Sequence, residues 1–309
     1  MNFKLELKKL RYLTSRNVKI YFKDKMTFFV SLITPIILLL LFILFLKSTY
    51  EDNIFNILAD YEVDKKIIDA FTGGWLFSSI LSVSCITVAF CSGMMVIDKI
   101  NRTNIDFMVT PIKKSTLKIS YVLSNLFSTL IVCFVLLIIG LIYLAIVGFY
   151  ISFVDILLII FSIIITSLFG TLLANIIWYF THSQGVLSGV CTLVSALYGF
   201  ICGAYMPISS MGTGMQSFVS FLPGTYATVL FRHSFLNGSL KEMSKSIPAE
   251  IVDGIASGFD VKMSFFGNDV SLLALILVIT LSTILLLGIY LLLSNVKLRK
   301  RIRVKNKNK

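Results

Sequence analysis

The chain has 309 residues, of which 57% are hydrophobic and 14% are charged, with a mean hydropathy of +0.89 and a formal net charge of +12. Soluble domains are nearer half apolar and a quarter charged, so this composition excludes an ordinary soluble protein and indicates a single membrane domain. The five cysteines lie in apolar runs without a CxxC pair, which excludes a disulfide framework and gives no sign of a metal or redox site.

The first 27 residues (1–27) are basic and carry a helical repeat. At about 100° per residue, one sector of the helix is apolar and the cations occupy the other side. We therefore predict a cytosolic amphipathic helix that lies in the headgroup plane and turns its cations toward anionic membrane lipids. The residues of the apolar sector are Phe3, Leu7, Leu10, Val18 and Tyr21.

Six apolar runs follow, each long enough to cross a bilayer, and they predict an all-α polytopic membrane protein with six transmembrane helices. The long extracellular loop 207–269 separates the last two runs, and a basic cytosolic tail, 295–309, follows the sixth. The runs are 28–46, 74–97, 119–148, 153–178, 185–206 and 270–294.

Gln216–Leu236 in the long loop is apolar enough to resemble a seventh span. Pro223-Gly224 interrupts it, and it contains Arg232. We predict two short helices that dip into the outer leaflet and are covered by protein where the backbone breaks.

The distribution of charge predicts the orientation. The N-terminal segment, the loop 98–118 and the tail hold 21 Lys and Arg against four Asp and Glu, whereas the other side holds seven against twelve. Cytosolic segments are enriched in Lys and Arg, so both termini should be cytosolic. The positive charge is therefore interpreted as facing a membrane surface and not nucleic acid. The Lys-, Asn- and Ile-rich composition is compatible with the plasma membrane of a low-GC bacterium.

The loop 98–118 combines charge with turn chemistry between two spans. Pro111 lacks an N–H and biases Thr110 away from the α region, so a short helix over Arg102–Val109 should end there. A short helix at the cytosolic surface would let a soluble protein push on both flanking spans. From these residues alone, an ordinary positively charged turn is equally compatible.

The fifth span carries a stripe of small residues that would let another helix approach closely. That helix is either another span of this chain or part of a second copy, and we favour the second copy. At about 100° per residue the stripe falls within about 60° to 80°; its members are Gly185, Gly189, Thr192, Ala196, Gly199 and Gly203.

Several classes of activity lack their motifs. No Gly is followed by Lys, so the chain has no Walker A phosphate loop and should not hydrolyse ATP itself. The spans hold no Asp, Glu, Lys or Arg away from their ends, which disfavours an ion-coupled carrier. We expect no enzymatic activity and no bound cofactor or metal, and we interpret His182 and His233 as loop residues.

Four stretches in order resemble the ABC transporter permeases of the type-2 exporter class, the membrane subunits of bacterial drug, antibiotic and peptide exporters. Two departures leave the length of the coupling helix open. Asn101–Asn104 stands where the family often has Gly-Thr, and Asp98 and Asp106 stand where Glu is common. The stretches are Arg16–Pro35, Asp98–Asn125, Thr181–Gln184 and Gly203–Gly238; the last contains the extracellular re-entrant residues Pro207, Pro223, Gly224, Tyr226 and Arg232.

The resemblance implies that the loop 98–118 docks on a separate ABC ATP-binding subunit, with Phe107 as the inserted side chain and His182 in a lesser contact. That subunit would bind ATP and Mg²⁺, and a second permease copy would complete a homodimer or a paralogous heterodimer. The cargo would be amphipathic or lipid-like. A non-transporting sensor or scaffold that binds lipid or a soluble partner is the alternative. The implied coupling residues are Asp98, Arg102, Asn104, Asp106, Phe107, Pro111 and His182.

Overall fold

The computed structural model describes residues 3–59, 61, 63–265 and 268–307, and in that part of the chain the elements are helices with one short pair of antiparallel strands. In chain order these are α1 (Phe3–Lys23), α2 (Lys25–Leu41), a π-helical turn (Phe42–Leu46), α3 (Lys47–Ile57), α4 (Lys65–Cys91), α5 (Met94–Ile100), α6 (Thr103–Val109), α7 (Lys114–Val147), α8 (Phe153–Phe180), α9 (Gln184–Ile201), a 3₁₀ turn (Ile208–Ser210), α10 (Thr213–Val219), α11 (Pro223–Met243), α12 (Ala249–Gly258), β1 (Ser264–Phe265), β2 (Asn268–Asp269) and α13 (Leu272–Lys307).

Six helical stretches in the described residues are long and apolar enough to cross a membrane, which confirms the all-α polytopic prediction. We call the end of the bundle that carries α1, α5 and α6 the basic end, and the end that carries α3 and α10 to α12 the opposite end. The stretches are Lys25–Ile57, Lys65–Ile100, Lys114–Val147, Phe153–Phe180, Gln184–Ile201 and Leu272–Ser294.

The first two spanning helices are longer than the apolar runs that predict them. The expected loop 47–73 is helical at both ends, because α3 continues the first helix and α4 begins at Lys65. The Asp64 side chain accepts the N–H of Lys66 at 3.0 Å and caps α4. The apolar run used for the prediction ends at the first charged residue, whereas the backbone hydrogen bonds of the helix continue beyond it. Two acidic residues of this loop, Asp60 and Glu62, lie outside the described residues.

Helix α4 forms the centre of the fold. Every residue from 70 to 96 is buried, and the helices packed around it are α2, α7, α8, α9 and α11. The outward faces of the surrounding helices are apolar and exposed, as on α7 at Ile138 and on α13 at Leu285. A bundle with an exposed apolar exterior and one enclosed helix is suited to a lipid environment.

The long loop departs from the prediction in one respect. Two helices flank Pro223-Gly224 as expected, but α11 has 21 residues and is not short. Pro223 occupies the first turn of α11, where its missing N–H costs nothing, so it starts this helix. Helix α11 packs against α4, α8 and α13 and is mostly buried.

The predicted N-terminal helix forms as α1, and its packing partner is α7. Leu13, Asn17 and Tyr21 are buried, so α1 belongs to the helix bundle and does not lie on the headgroup plane alone. The predicted tail 295–309 continues α13 as helix through Lys307, while residues 1–2 and 308–309 lie outside the described residues.

Candidate coupling site

The site begins where α4 ends. The chain bends at Ser92 and Gly93, runs through α5, and turns into α6 at Arg102, which adopts a left-handed conformation with φ 59°. Helix α6 ends at Val109, and Thr110 is extended immediately before Pro111. The turn chemistry of the proline therefore ends the helix where the sequence predicts.

Asp98 is an internal anchor of this loop. It is buried, and its carboxylate accepts hydrogen bonds from Arg16 Nη1 at 2.9 Å, Arg16 Nη2 at 3.1 Å and the Tyr121 hydroxyl at 2.8 Å. The hydrogen bond to Asp98 raises the pKa of the Arg16 guanidinium above its ordinary value. Asp98 is thus directed into the bundle, and the structure removes it from the expected docking surface.

Phe107 also faces the bundle. Its ring lies beneath Arg16, with the guanidinium carbon 5.2 Å from the ring centroid, a distance at which a cation attracts an aromatic face. The exposed apolar side chains of α6 are Ile105 and Val109, which are 52% and 84% accessible. They stand four residues apart and so share one side of the helix. Ile105 and Val109 are therefore the apolar side chains that α6 exposes, whereas Phe107, expected as the inserted side chain, is half-buried beneath Arg16.

Helix α1 holds the far end of the same loop. Lys9 Nζ donates to the Pro111 carbonyl at 2.6 Å, and the Thr116 hydroxyl donates to Glu6 at 2.9 Å. The Thr116 hydrogen bond lowers the pKa of the Glu6 carboxyl. Together with Arg16, these contacts fix the loop to α1 at three points.

Lys99 joins this loop to the second predicted coupling element, the connection after α8. Its Nζ donates to the carbonyls of Trp178 at 2.7 Å, Tyr179 at 3.0 Å and Thr181 at 3.1 Å. A cation at these carbonyls satisfies the open end of α8 and its dipole. His182 follows directly, exposed to solvent. Sequence reasoning identified both loops but missed Lys99 as the link, because its partners lie 79 to 82 residues away.

Four exposed residues on α6 and its N-terminal turn form what we call the coupling surface. Asn104 is half-buried beside it, and Pro111 is exposed at the far end of the loop. His182 lies in the connection after α8, which Lys99 joins to the loop by its hydrogen bond to the Thr181 carbonyl. The coupling surface consists of two apolar side chains, one cation and one anion, a composition consistent with a protein–protein contact. Its members are Arg102, Ile105, Asp106 and Val109.

The small-residue stripe of α9 divides into two parts. Gly185, Gly189 and Ala196 are exposed, and no atom lies within 4 Å of where a Cβ would stand on either glycine. Gly199 is instead covered by the Tyr205 ring, and Gly203 adopts φ 75° in the turn after the helix. The exposed half has no partner among the described residues, whereas the other half packs within the chain.

The re-entrant residues of the opposite end surround a buried ion pair. Arg232 is fully buried, donates to Asp260 at 2.7 Å and to the Gly203 carbonyl, and lies 4.7 Å from the Trp75 ring centroid. Burial lowers the pKa of Arg232 and raises that of Asp260, while each charge opposes the shift of the other. The remaining predicted residues serve packing: Pro207 and Pro223 begin helical turns, Gly224 lies against Tyr198, and Tyr226 is buried.

No group of three His, Cys, Asp or Glu that could hold a metal ion occurs among the described residues. The geometry at the basic end is that of a short surface helix held against the bundle by Arg16, Lys9 and Lys99. His233, expected in a loop, lies within α11 and is half-buried.

Comparison with known families identifies this architecture. The family model described as ABC-2 type transporter matches residues 8–236, which is more than half of the chain and includes most of α1, the coupling surface and the exposed stripe of α9. No curated protein and no solved structure matches the chain significantly. The chain therefore belongs to the ABC-2 type transporter family and is a membrane permease of an ABC transporter.

Proposed function

We propose that this permease is energised by a separate ATP-binding subunit that docks on the coupling surface. The observation that carries the proposal is the exposure of Ile105 and Val109 on a short helix whose other side is held against the bundle. An exposed apolar pair among charged neighbours has the composition of an interface centre. ATP and Mg²⁺ would be bound by that partner, and this chain would supply no catalytic group.

The anchors of the loop suit the transmission of movement. Arg16 and Lys9 connect the loop to α1, and Lys99 connects it to the end of α8. A displacement of α6 by a docked subunit would therefore be passed to several helices at once. In this proposal the basic end is cytosolic, in a bacterial plasma membrane, because it holds most of the Lys and Arg.

The working unit would contain two permeases and two ATP-binding subunits. The exposed half of the α9 stripe, with Gly185 and Gly189, would bring two permeases together by close backbone approach. The cargo would be an amphipathic or lipid-like molecule, such as a drug, an antibiotic or a peptide, moved outward. A cargo of this class matches the exposed apolar surface of the bundle and its buried, uncharged hydroxyl groups better than a charged metabolite does.

The test is copurification of the tagged chain from its own cell in mild detergent, followed by an ATPase assay of the eluate. We expect a subunit of ABC-ATPase size and ATP hydrolysis with the wild type, and loss of both with the double variant Ile105→Asp/Val109→Asp. The matched control is Ile57→Asp, which changes a side chain of similar exposure at the opposite end.

Two results would contradict the proposal. If the wild type purifies alone and no ATPase binds it, a lipid-binding sensor or scaffold becomes the better description. If the double variant retains its partner while Phe107→Asp releases it from a still folded chain, the docking side chain is Phe107 after all.

A further inference from the structure

An apolar groove lies on the side of α1 that faces away from the coupling loop. It has a volume of about 780 Å³, within the range of about 300–1,000 Å³ common for small-molecule sites. One wall is formed by residues of α1, and the other by Leu123, Phe127 and Ile131 of α7. These three residues recur every four positions, so they line one side of α7 over about 12 Å.

The rim of the groove is positively charged. Lys4, Lys8, Arg11 and Lys19 line it, and at about 100° per residue they fall within about 80° on α1. No acidic side chain is among the described residues that line the groove. Glu6, which is the acidic residue of α1, points to Lys9 and Thr116.

The groove also contains a polar group without a partner. Thr14 lines the groove, and its buried hydroxyl has no hydrogen-bond partner among the described residues. A buried hydroxyl normally has one, so a ligand oxygen that reached this hydroxyl from the groove would satisfy it.

We propose that this groove is a binding site for one anionic phospholipid, with an acyl chain against α7 and the phosphate group at the cationic rim of α1. Long Lys and Arg side chains place their stems along apolar surface and their charges at the headgroup level, as the rim requires. A symmetric contact of two copies through this groove is disfavoured, because the same cations would face each other.

The site bears on the rest of the molecule through α1. The side of α1 that carries Arg16 and Lys9 holds the coupling loop. The side of α1 that carries Lys8 and Arg11 lines the groove. A bound lipid fills the space between α1 and α7 and so fixes the helix to which the loop is attached. This role does not depend on which subunit docks on the loop.

The test is native mass spectrometry of the full chain after delipidation and exposure to phosphatidylglycerol and phosphatidylcholine with identical acyl chains. We expect the wild type to retain one phosphatidylglycerol in preference to phosphatidylcholine. Each cation near an anionic lipid contributes about fivefold to binding, so K8Q/R11Q should weaken phosphatidylglycerol retention about 25-fold. The matched control K23Q/K25Q removes two exposed cations outside the groove and should retain the lipid.

A second pair of variants tests the apolar wall without changing the charge. Ile131→Trp should fill the groove and reduce retention, whereas Ile138→Trp, two turns further along α7 and similarly exposed, should not. If K8Q/R11Q fails to give a monodisperse protein, these two tryptophan variants still test whether the lipid binds in the groove. Equal retention of both phospholipids by the wild type would overturn the proposal. So would equal losses in K8Q/R11Q and K23Q/K25Q, which indicate a general surface charge effect.

Discussion

Arg16 binds Asp98 through both terminal nitrogens of its guanidinium group, although 82 residues separate the two in the chain. The side chain of Arg16 is 33% exposed and that of Asp98 is 3% exposed. The acid is therefore the member that depends on its partner, because the arginine can reach water when the pair breaks.

We expect Arg16→Met to destabilise the protein more than Asp98→Asn does. Loss of Arg16 leaves a buried carboxylate that, among the described residues, keeps the Tyr121 hydroxyl as a donor, and removing one member of a buried pair costs about 3–5 kcal/mol. Partial exposure of Arg16 reduces this to about 2 kcal/mol. The measurement is the thermal transition in mild detergent for both single variants and the double variant.

The double variant R16M/D98N should recover part of the loss, since neither charge is then left alone. Lys23→Met is the control, because Lys23 is an exposed cation on the same helix and lies outside the groove. Additive effects of the two single variants would show that the ion pair is not what holds the loop.

The buried pair at the opposite end should be more sensitive. Arg232 and Asp260 are both buried, so Arg232→Met should cost about 3–5 kcal/mol, and R232M/D260N should cost less than R232M alone. The control is the exposed pair of Lys262 and Asp253 at 2.7 Å, where Lys262→Met should cost at most about 1 kcal/mol. Similar losses for the buried and the exposed pair, measured by thermal unfolding, would contradict this assignment.

Two glycines of α9 should respond differently to leucine. Gly199→Leu places a side chain against the Tyr205 ring and should lower the stability of the single chain by about 1–3 kcal/mol. Gly189→Leu meets no neighbour and should leave that stability unchanged, but it should reduce chemical cross-linking between copies in membranes. Unchanged cross-linking of the Gly189 variant would show that the exposed stripe is not the contact between copies.

His233 should make stability depend on pH. Burial lowers its pKa from the ordinary value of 6.5, and its Nδ1 is buried without a partner among the described residues. The unfolded chain takes up a proton below pH 6.5 more readily than the folded chain does, so stability is complete above that pH and falls below it.

The wild type should therefore lose more thermal stability between pH 7.5 and pH 5.0 than His233→Gln does. His182→Gln is the matched control, because His182 is exposed, and it should follow the wild type. Parallel pH profiles for the wild type and the His233 variant would assign the sensitivity to another group.

The sequence alone predicted features that depend on local or summed properties. Runs of apolar residues indicated six spans, and Pro111 indicated the end of α6, because backbone geometry at a proline is set within two residues. The orientation of α6 was not predictable in this way. Phe107 and Val109 are both apolar residues of one short helix, and which of them is exposed depends on Arg16, which lies on another helix.

The environment of the charged residue Arg232 was likewise not predictable from the local sequence. A charged residue in an apolar stretch indicates an interruption or an exposed position, and the prediction of two short helices followed from it. The structure buries Arg232 in a long helix because Asp260, 28 residues later, and the Gly203 carbonyl accept its hydrogen bonds. Partners at such separations are fixed by tertiary packing, which local patterns do not encode.

Helix α4 has a consequence for how this sequence can vary over evolution. The outward faces of α2, α7 and α13 expose apolar side chains. In a membrane these faces would meet lipid chains, which are fluid and adapt to Leu, Ile, Val or Phe alike. Each position from 70 to 96, in α4 and the start of α5, instead meets fixed neighbours, so a gain or loss of one methylene group changes the packing. Substitutions should therefore accumulate on the exterior, while α4 changes only together with the helices around it.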